Sequence, residues 1–254
     1  MPYDPFVKLK RIQRIVCKGI KRKYYRFRSG KWYGGIATAD CCGCILKCIF
    51  CWSDYPRDNP DKVGKFYSPE SVFKRLYSIA LAKRYSLVRV SGNEPTVHKQ
   101  HLIELIKLFD ERTDLTFMLE TSGIILGNDE DFVRQLSNFK NLHVRVSLKG
   151  ANHEEFQMLT GADGKFFEYQ LKSLELLEKY GVSYHPALMI SFSTKRSLRY
   201  LVERLYEIDK ELPQRIETEV VILYPHVIER LRSKHLRVTI AVTKDGKIIK
   251  DKQF

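Results

Sequence analysis

The chain has 254 residues, of which 44% are hydrophobic and 29% charged, and it carries a formal net charge of +14. This length can bury one sizeable core, and no stretch approaches the roughly 18 apolar residues of a spanning helix, which argues against a membrane-embedded protein. The first residues lack an apolar run with a small-residue cleavage site, so we expect no secretory signal, a cytoplasmic location and no membrane partner.

The positive charge is concentrated at the N-terminus. Residues 1–31 contain eleven Lys or Arg residues against the single Asp4, whereas the rest of the chain is nearly balanced. One interpretation is a basic arm that binds RNA, with Tyr24, Tyr25 and Phe27 stacking on bases between the cations. The other is an amphipathic strand whose charges simply face the solvent, and the composition favours neither.

The first predicted elements are a hairpin and a core strand. Two segments flanking residues 28–30, KYYRF and KWYGGIATA, alternate aromatic with polar residues, which is typical of paired strands. The first core strand is predicted near Ile36 to Ala39. Five of the six cysteines follow within eleven residues, and such crowding favours a metal site over a disulfide framework.

Helices and strands alternate after the cysteines. Ser68 followed by Pro69 predicts a helix start, with serine as the N-cap and proline in the first turn. The predicted helices lie near residues 69–85, 99–109, 130–138, 167–180 and 195–212. The predicted strands between them are SLVRV, LTFMLE, LHVRVSL, VSYHPALMI and IETEVVIL.

This alternation predicts an α/β fold in which βαβ units surround a parallel sheet. Six such strands between residues 35 and 223 predict a partial (β/α)6 barrel resembling a TIM barrel. Near the C-terminus, LRVTIAV and IIKD predict a β-hairpin that turns at Asp245-Gly246. We therefore divide the chain into a basic N-terminal extension of strand and hairpin (1–34), the barrel (35–226) and a C-terminal extension with the hairpin (227–254).

The strongest chemical signal is the run CILKCIFC, in which Cys44, Cys48 and Cys51 are separated by three and two residues. Three thiolates on one loop can hold an iron–sulfur cluster and leave one iron without a protein ligand. A structural zinc site is the alternative, although it usually needs a second pair of cysteines or distant histidines. No second pair lies downstream, but Cys41 or Cys42 could complete a four-ligand shell.

The same run resembles the CxxxCxxC motif of the radical S-adenosylmethionine superfamily, including the aromatic residue before the third cysteine. The resemblance implies a 4Fe-4S cluster on Cys44, Cys48 and Cys51, with the fourth iron chelated by S-adenosylmethionine. It also implies reductive cleavage to a 5′-deoxyadenosyl radical, which abstracts hydrogen from a substrate, and an electron donor such as ferredoxin or flavodoxin.

Residues at the predicted strand ends extend this resemblance, because reactive groups of parallel barrels gather there. Ser91-Gly92-Asn93-Glu94-Pro95 resembles the superfamily's GGEP segment, whose backbone binds the methionine amino group. Asn93 replaces the second glycine, which is tolerable because asparagine enters left-handed backbone conformations at modest cost. Gly92, Asn93 and Glu94 are thus predicted cofactor contacts.

Three later segments are similar to glycyl-radical-enzyme activases, such as the activating enzyme of pyruvate formate-lyase. Glu120 opens a segment like their acidic-Thr-Asn-Gly run, and Ser147-Leu148-Lys149 resembles Asp-Leu-Lys with serine replacing the acidic residue. Leu223-Tyr224-Pro225-His226 is similar to a segment near the cofactor ribose. The resemblance implies cofactor contacts by Glu120, Ser147, Lys149 and His226, and further adenosine contacts by Ser191 and Ser193.

Three functions remain open from the sequence. The first is a radical enzyme that acts on RNA through the basic arm, and the second is an activase or a small-molecule radical enzyme. The serine at position 147 departs from the activase pattern. The third is a non-enzymatic zinc-binding module. The sequence specifies neither the substrate nor the oligomeric state.

Overall fold

The computed structural model describes residues 1–254. Its α-helices are α1 (Pro5–Val16), α2 (Asp54–Asp58), α3 (Pro69–Lys83), α4 (Lys99–Arg112), α5 (Ile124–Asn128), α6 (Glu130–Leu136), α7 (His153–Thr160), α8 (Phe167–Lys179), α9 (Lys195–Ile208) and α10 (Pro225–Ser233). Its strands are β1 (Cys17–Lys18), β2 (Lys21–Gly30), β3 (Ile36–Cys41), β4 (Lys65–Tyr67), β5 (Leu87–Gly92), β6 (Thr116–Thr121), β7 (Leu142–Leu148), β8 (Tyr184–Met189), β9 (Glu217–Glu219), β10 (Val221–Leu223), β11 (Arg237–Thr243) and β12 (Ile248–Gln253). None of the helices combines the length and the apolar composition needed to cross a bilayer.

The main sheet confirms the predicted α/β architecture. Its strand order is β1-β2-β3-β5-β6-β7-β8-β9, with β4 paired to β2. The six strands β3, β5, β6, β7, β8 and β9 are parallel, whereas β1, β2 and β4 are antiparallel additions at one edge. Strand β9 pairs only with β8, so the barrel is partial and open.

The two faces of this sheet differ in polarity, because successive residues of a strand point to opposite sides. One face is apolar and packs under the helices, as Val88, Val90 and Leu119 do in the main core. The opposite face, here called the inner face, carries polar side chains that pair with one another. Its members are Thr38, Asp40, Arg89, Ser91, Glu120, Arg145, Ser147, His185, Glu217 and Glu219.

The helix start predicted at Ser68 is confirmed, since its hydroxyl accepts a hydrogen bond from the Ser71 amide at 3.2 Å. The N-terminal extension, however, is not a strand and hairpin throughout. Residues 5–16 form α1, which Asp4 caps by accepting from the Phe6 amide at 2.7 Å. Because α1 buries Ile12 and Val16 in the core, the segment is an integral part of the fold.

The predicted sixth strand is also broken. IETEVVIL divides into β9, which ends the main sheet, and β10, which starts a second sheet with β11 and β12. The C-terminal hairpin is confirmed, with Gly246 at its turn in a left-handed conformation (φ 89°). The hairpin strands β11 and β12 form the second sheet together with β10, which pairs in parallel with β11.

Candidate iron–sulfur and cofactor site

The three predicted iron ligands lie in the loop from residue 42 to residue 53, here called the cysteine loop. It leaves the end of β3 at Cys41 and contacts α7, where the Ile49 amide donates to the Leu159 carbonyl at 2.8 Å. Gly43 takes a left-handed conformation (φ +79°), and a Cβ there would lie 2.9 Å from a methyl group of Ile12. Helix α1 therefore packs directly on the loop.

Arginine side chains bind the backbone of the cysteine loop from outside. Arg57 is buried and donates to the Cys48 carbonyl at 2.7 Å. Arg230 of α10 donates to the Ile49 carbonyl at 2.7 Å and also to the Cys51 carbonyl. These charge-assisted bonds fix the path of the loop around its second and third cysteines.

A third arginine binds where the loop leaves β3. Arg22 of β2 is only 1% exposed, and its guanidinium donates to the carbonyls of Cys42 and Glu94. Arg57 also forms an ion pair with Asp58 and Arg230 one with Asp54, so of these three side chains only Arg22 brings a positive charge without a carboxylate partner. Arg22, Arg57 and Arg230 are called the loop arginines below.

The thiols themselves are inert without a metal. Burial raises the pKa of Cys44, and the nearby Glu94 carboxylate raises it further. Burial also raises the pKa values of Cys48 and Cys51, an effect that the positive charges of Lys149 and Arg57 partly oppose. At neutral pH the free thiols are therefore protonated, and a metal must displace their protons to bind.

The donor set fits an iron–sulfur cluster better than a single zinc ion. No three His, Cys, Asp or Glu side chains lie close enough together to share one metal ion, as a closed zinc shell requires. Cys42 instead donates to the Val63 carbonyl at 3.7 Å, and Cys41 is fully buried in the core. Three thiolates among the loop arginines suit an anionic cluster, which can span more widely spaced ligands than one ion.

Gly92 and Asn93 tie the end of β5 to the cysteine loop. Gly92 has φ +98°, and a Cβ there would lie 2.8 Å from the Cys41 nitrogen. The expected left-handed conformation of Asn93 is wrong, since its φ is not positive. Its amide side chain instead accepts from the Gly43 amide at 2.9 Å and donates to the Ser53 carbonyl at 3.0 Å, bridging both ends of the loop.

The Glu94 carboxylate joins neighbouring strand ends. One oxygen accepts from the hydroxyls of Thr121 and Thr96 at 2.6 and 2.7 Å. The other accepts from the amide and the hydroxyl of Ser122 at 3.0 and 2.6 Å. The protein thus fills the acceptor capacity of the Glu94 carboxylate, and the cofactor contact expected of Glu94 stays a prediction.

Lys149 and Ser147 lie on the side of the inner face next to the cysteine loop. The Lys149 ammonium donates to the Ser147 hydroxyl at 2.6 Å, and that hydroxyl donates to Glu219 at 3.2 Å. The carboxylate of Glu219 on β9 therefore lies beside Ser147, the residue that replaces the acidic residue of the activase pattern. Glu120 is paired with Arg89 at 2.7 Å, deeper along the same face.

His226 lies in the first turn of α10, beyond the second sheet. Its ring stacks on Tyr224 with centroids 5.7 Å apart, and Nε2 lies 3.7 Å from an oxygen of Asp54. That nitrogen is buried and makes no hydrogen bond, and the cofactor contact expected of His226 stays a prediction. The expected adenosine contacts are otherwise engaged: Ser191 accepts from the Val221 amide at 2.8 Å, and Ser193 donates to Glu155 at 2.7 Å.

Sequence reasoning missed the loop arginines. They lie on β2, α2 and α10, and nothing in the residues around them distinguishes them from surface charges. Arg230 is 179 residues from Cys51, so only the folded chain brings the two together.

A model of the radical SAM superfamily matches residues 40–205, which include the cysteine loop, the end of β3 and four whole parallel strands of the barrel, β5 to β8. The chain belongs to the radical SAM superfamily. It is therefore an enzyme of the class that uses a 4Fe-4S cluster and S-adenosylmethionine, as the resemblance of the cysteine motif implied. The likeness to the activases stays a prediction.

The chain is similar in sequence to two enzymes that are named for different substrates. GTP 3′,8-cyclase of Campylobacter jejuni is 25% identical over 120 residues, covering 47% of this chain and 36% of the relative. The tRNA 4-demethylwyosine synthase of Methanocaldococcus jannaschii, which depends on S-adenosyl-L-methionine, is 23% identical over 201 residues, covering 65% and 61%. The chain thus spans about a third of the cyclase and less than two thirds of the synthase.

Solved structures share the fold. TYW1 with a lysine-pyruvate adduct has a TM-score of 0.56 at 16% identity, covering 99% of this chain and 96% of TYW1. SuiB of Streptococcus suis bound to its precursor peptide SuiA scores 0.58 at 15% identity, covering 73% and 38%. AnSMEcpe with bound AdoMet scores 0.51 at 23% identity, covering 72% and 48%.

Replacing one predicted ligand should remove the cluster. Cys48→Ala should leave little iron and sulfide in anaerobically purified protein, because the two remaining thiols cannot hold a cubane. Cys42→Ala is the matched control and should retain both, since that thiol bonds only to the Val63 carbonyl. Iron and sulfide analysis is the measurement; equal loss in both variants would contradict the ligand assignment.

Removing a loop arginine should weaken retention of the cluster. Arg230→Met leaves two loop carbonyls without their donor, and we expect the cluster to be held about tenfold less tightly. The loss of visible absorbance in the presence of an iron chelator measures this. Arg232→Met is the control, because Arg232 is an exposed neighbour without an ion pair, and it should lose its cluster no faster than the unmodified protein. If Arg230→Met also behaved as the unmodified protein, the loop would hold its shape without this arginine and the prediction would be contradicted.

Proposed function

We propose that the chain reductively cleaves S-adenosylmethionine and that the resulting 5′-deoxyadenosyl radical abstracts hydrogen from an RNA. The bound cluster would supply the one electron that breaks the bond between sulfur and the 5′ carbon, releasing methionine. Cys44, Cys48 and Cys51 would hold it. A small electron-transfer protein such as ferredoxin or flavodoxin would be the partner that restores the electron.

The residues around the site support this chemistry. The loop arginines hold the backbone of the cysteine loop through hydrogen bonds to its carbonyls. Lys149 supplies a positive charge whose field reaches the thiols of Cys48 and Cys51. The amide of Asn93 fixes the backbone that faces the loop, where the superfamily resemblance puts the methionine amino group.

The observation that carries the RNA assignment is a group of unpaired cations on α1 and on the β1–β2 hairpin that follows it. Lys10, Arg11, Arg14, Lys18 and Lys21 are all exposed, and none forms a salt bridge within the chain; together they are called the basic face. An unneutralised group of this kind binds polyanions through release of their counterions. Both relatives carry a nucleotide or a nucleic acid in their names, GTP and tRNA, which agrees with this substrate class.

Two of the three aromatic residues first expected to stack on bases, Tyr24 and Phe27, do not support the assignment. Tyr24 is 2% exposed, and its hydroxyl bonds to His101 at 2.9 Å. Phe27 packs edge-on against Tyr67 with centroids 5.1 Å apart. Base stacking therefore has to come from elsewhere, and RNA binding by the basic face is electrostatic.

A small-molecule radical reaction is the second candidate, favoured by the similarity to GTP 3′,8-cyclase over 120 residues. It predicts turnover with free nucleotides and no role for the basic face. An activase function has no comparable support, because the acidic residue of its pattern is a serine at position 147.

The two candidates are separated by measuring 5′-deoxyadenosine under reducing, anaerobic conditions with RNA or with GTP. We expect RNA to stimulate its formation and Cys48→Ala to abolish it. Replacing the five cations of the basic face by glutamine should weaken RNA affinity and flatten its salt dependence, by about 0.7 in log–log slope for each lost contact.

Glutamine at Lys244, Lys247 and Lys250, which are exposed on the C-terminal hairpin, is the matched control and should change little. Substitutions are preferable to truncation because α1 contributes Ile12 and Val16 to the core. Stimulation by GTP and not by RNA would contradict the RNA assignment but keep the radical chemistry. No 5′-deoxyadenosine under any condition would contradict both.

A further inference from the structure

An exposed aromatic ring lies next to the last cluster ligand. Trp52 follows Cys51 directly and is 42% exposed, and the guanidiniums of Arg26 and Arg28 lie 5.2 and 5.9 Å from its ring centroid. We propose that Trp52 stacks on a base of the substrate RNA and that Arg26 binds the neighbouring phosphate. This inference rests on the proposed function and names the part of the site that would receive a nucleotide.

The position of Trp52 is fixed by its neighbours in the chain. The Ser53 hydroxyl bonds to the Tyr25 hydroxyl at 2.7 Å, and the Ser53 carbonyl accepts from Asn93 at 3.0 Å. On its other side, the Cys51 carbonyl is held by Arg230. The indole is thus exposed but attached to a backbone that hydrogen bonds hold on both sides, so a base stacked on it would lie close to the cysteine loop.

Both arginines lie on one side of the indole. Their Nε atoms donate to the same oxygen of Asp40, at 2.6 Å from Arg26 and 2.8 Å from Arg28. Arg26 and Arg28 are also two residues apart on β2, so both side chains leave the same face of that strand. The two guanidiniums therefore approach the indole from the same face of β2, and the exposed part of the ring is available for a base to stack on.

The charges beside the ring match a phosphate. Asp40 is completely buried and offers one negative charge to two guanidiniums, which leaves one positive charge in excess. Arg26 uses only its Nε in that ion pair; its side chain is 41% exposed, and its two terminal nitrogens bind no other group of the chain. A forked pair of free donors beside an aromatic face binds a phosphate next to a stacked base.

An apolar ligand or a protein partner fits this surface less well. Removing water from Arg26 without supplying an anion would cost free energy, because the charge would lose its hydration. A nucleotide supplies both an aromatic face and an anion at the required spacing. Unstacked bases of single-stranded RNA are recognised in this way by aromatic and arginine side chains.

The test uses the iron–sulfur protein and a short fluorescein-labelled single-stranded RNA, with affinity measured by anisotropy under anaerobic conditions. Trp52→Ala should weaken binding about 5- to 150-fold, the range expected from loss of one base stack. Trp52→Phe should retain most of the affinity because it keeps an aromatic face. Trp32→Ala is the matched control: Trp32 is 61% exposed but precedes β3, at the opposite end of the strands, and its loss should have no effect.

Arg26→Gln should lower the log–log salt slope by about 0.7, whereas Trp52→Ala should leave that slope unchanged. Equal RNA affinity of Trp52→Ala and the unmodified protein would overturn this inference and leave the proposed RNA substrate standing. No RNA binding by the unmodified protein would overturn both. The unmodified protein could instead bind GTP and not RNA, and Trp52→Ala could lose that GTP binding. This result would overturn the RNA assignment and would mean that Trp52 stacks on a free nucleotide.

Discussion

The guanidinium groups of Arg22, Arg57 and Arg230 donate hydrogen bonds to backbone carbonyls of the cysteine loop. They come from β2, α2 and α10, so elements from both ends of the chain determine the shape of one short segment. A loop without regular structure would otherwise leave buried carbonyls without partners, at a cost of about 1–3 kcal/mol for each group. Arg57 and Arg230 are also paired with the carboxylates of Asp58 and Asp54, so these two side chains chiefly fix the shape of the loop, and Arg22 adds the unpaired positive charge.

The inner face of the barrel has to satisfy a similar constraint, because it buries carboxylates and guanidiniums together. Arg145 pairs with Glu217 and Glu219 at 2.8 and 2.9 Å. Hydrogen bonds from His185 and Arg145 hold the pKa of Glu217 well below its usual range, although burial alone would raise it. A lining of paired charges keeps the barrel interior polar beside Lys149, in contrast to the apolar face under the helices.

Much of the fold is predictable because it is encoded locally. Ser68 and Pro69 mark a helix start with their own side chains, and the cysteine spacing specifies the cluster loop without any distant residue. The Asp4-Pro5 pair gives the same signal for α1, but the dense positive charge led us to expect an extended arm. The division of IETEVVIL between two sheets could not be predicted, since both halves have strand composition and only packing separates them. The contacts of Arg230 could not be predicted either, because they join distant parts of the chain. The same holds for the hydrogen bonds that Thr121 and Ser122 donate to the Glu94 carboxylate.

Mössbauer spectroscopy of the isotopically enriched cluster, with and without S-adenosylmethionine, tests most directly whether three cysteines hold four irons and leave one open. Addition of S-adenosylmethionine should change the signal of one iron and leave the other three as they were. Four irons that do not respond, or a protein that contains zinc and no iron, would contradict the assignment of Cys44, Cys48 and Cys51.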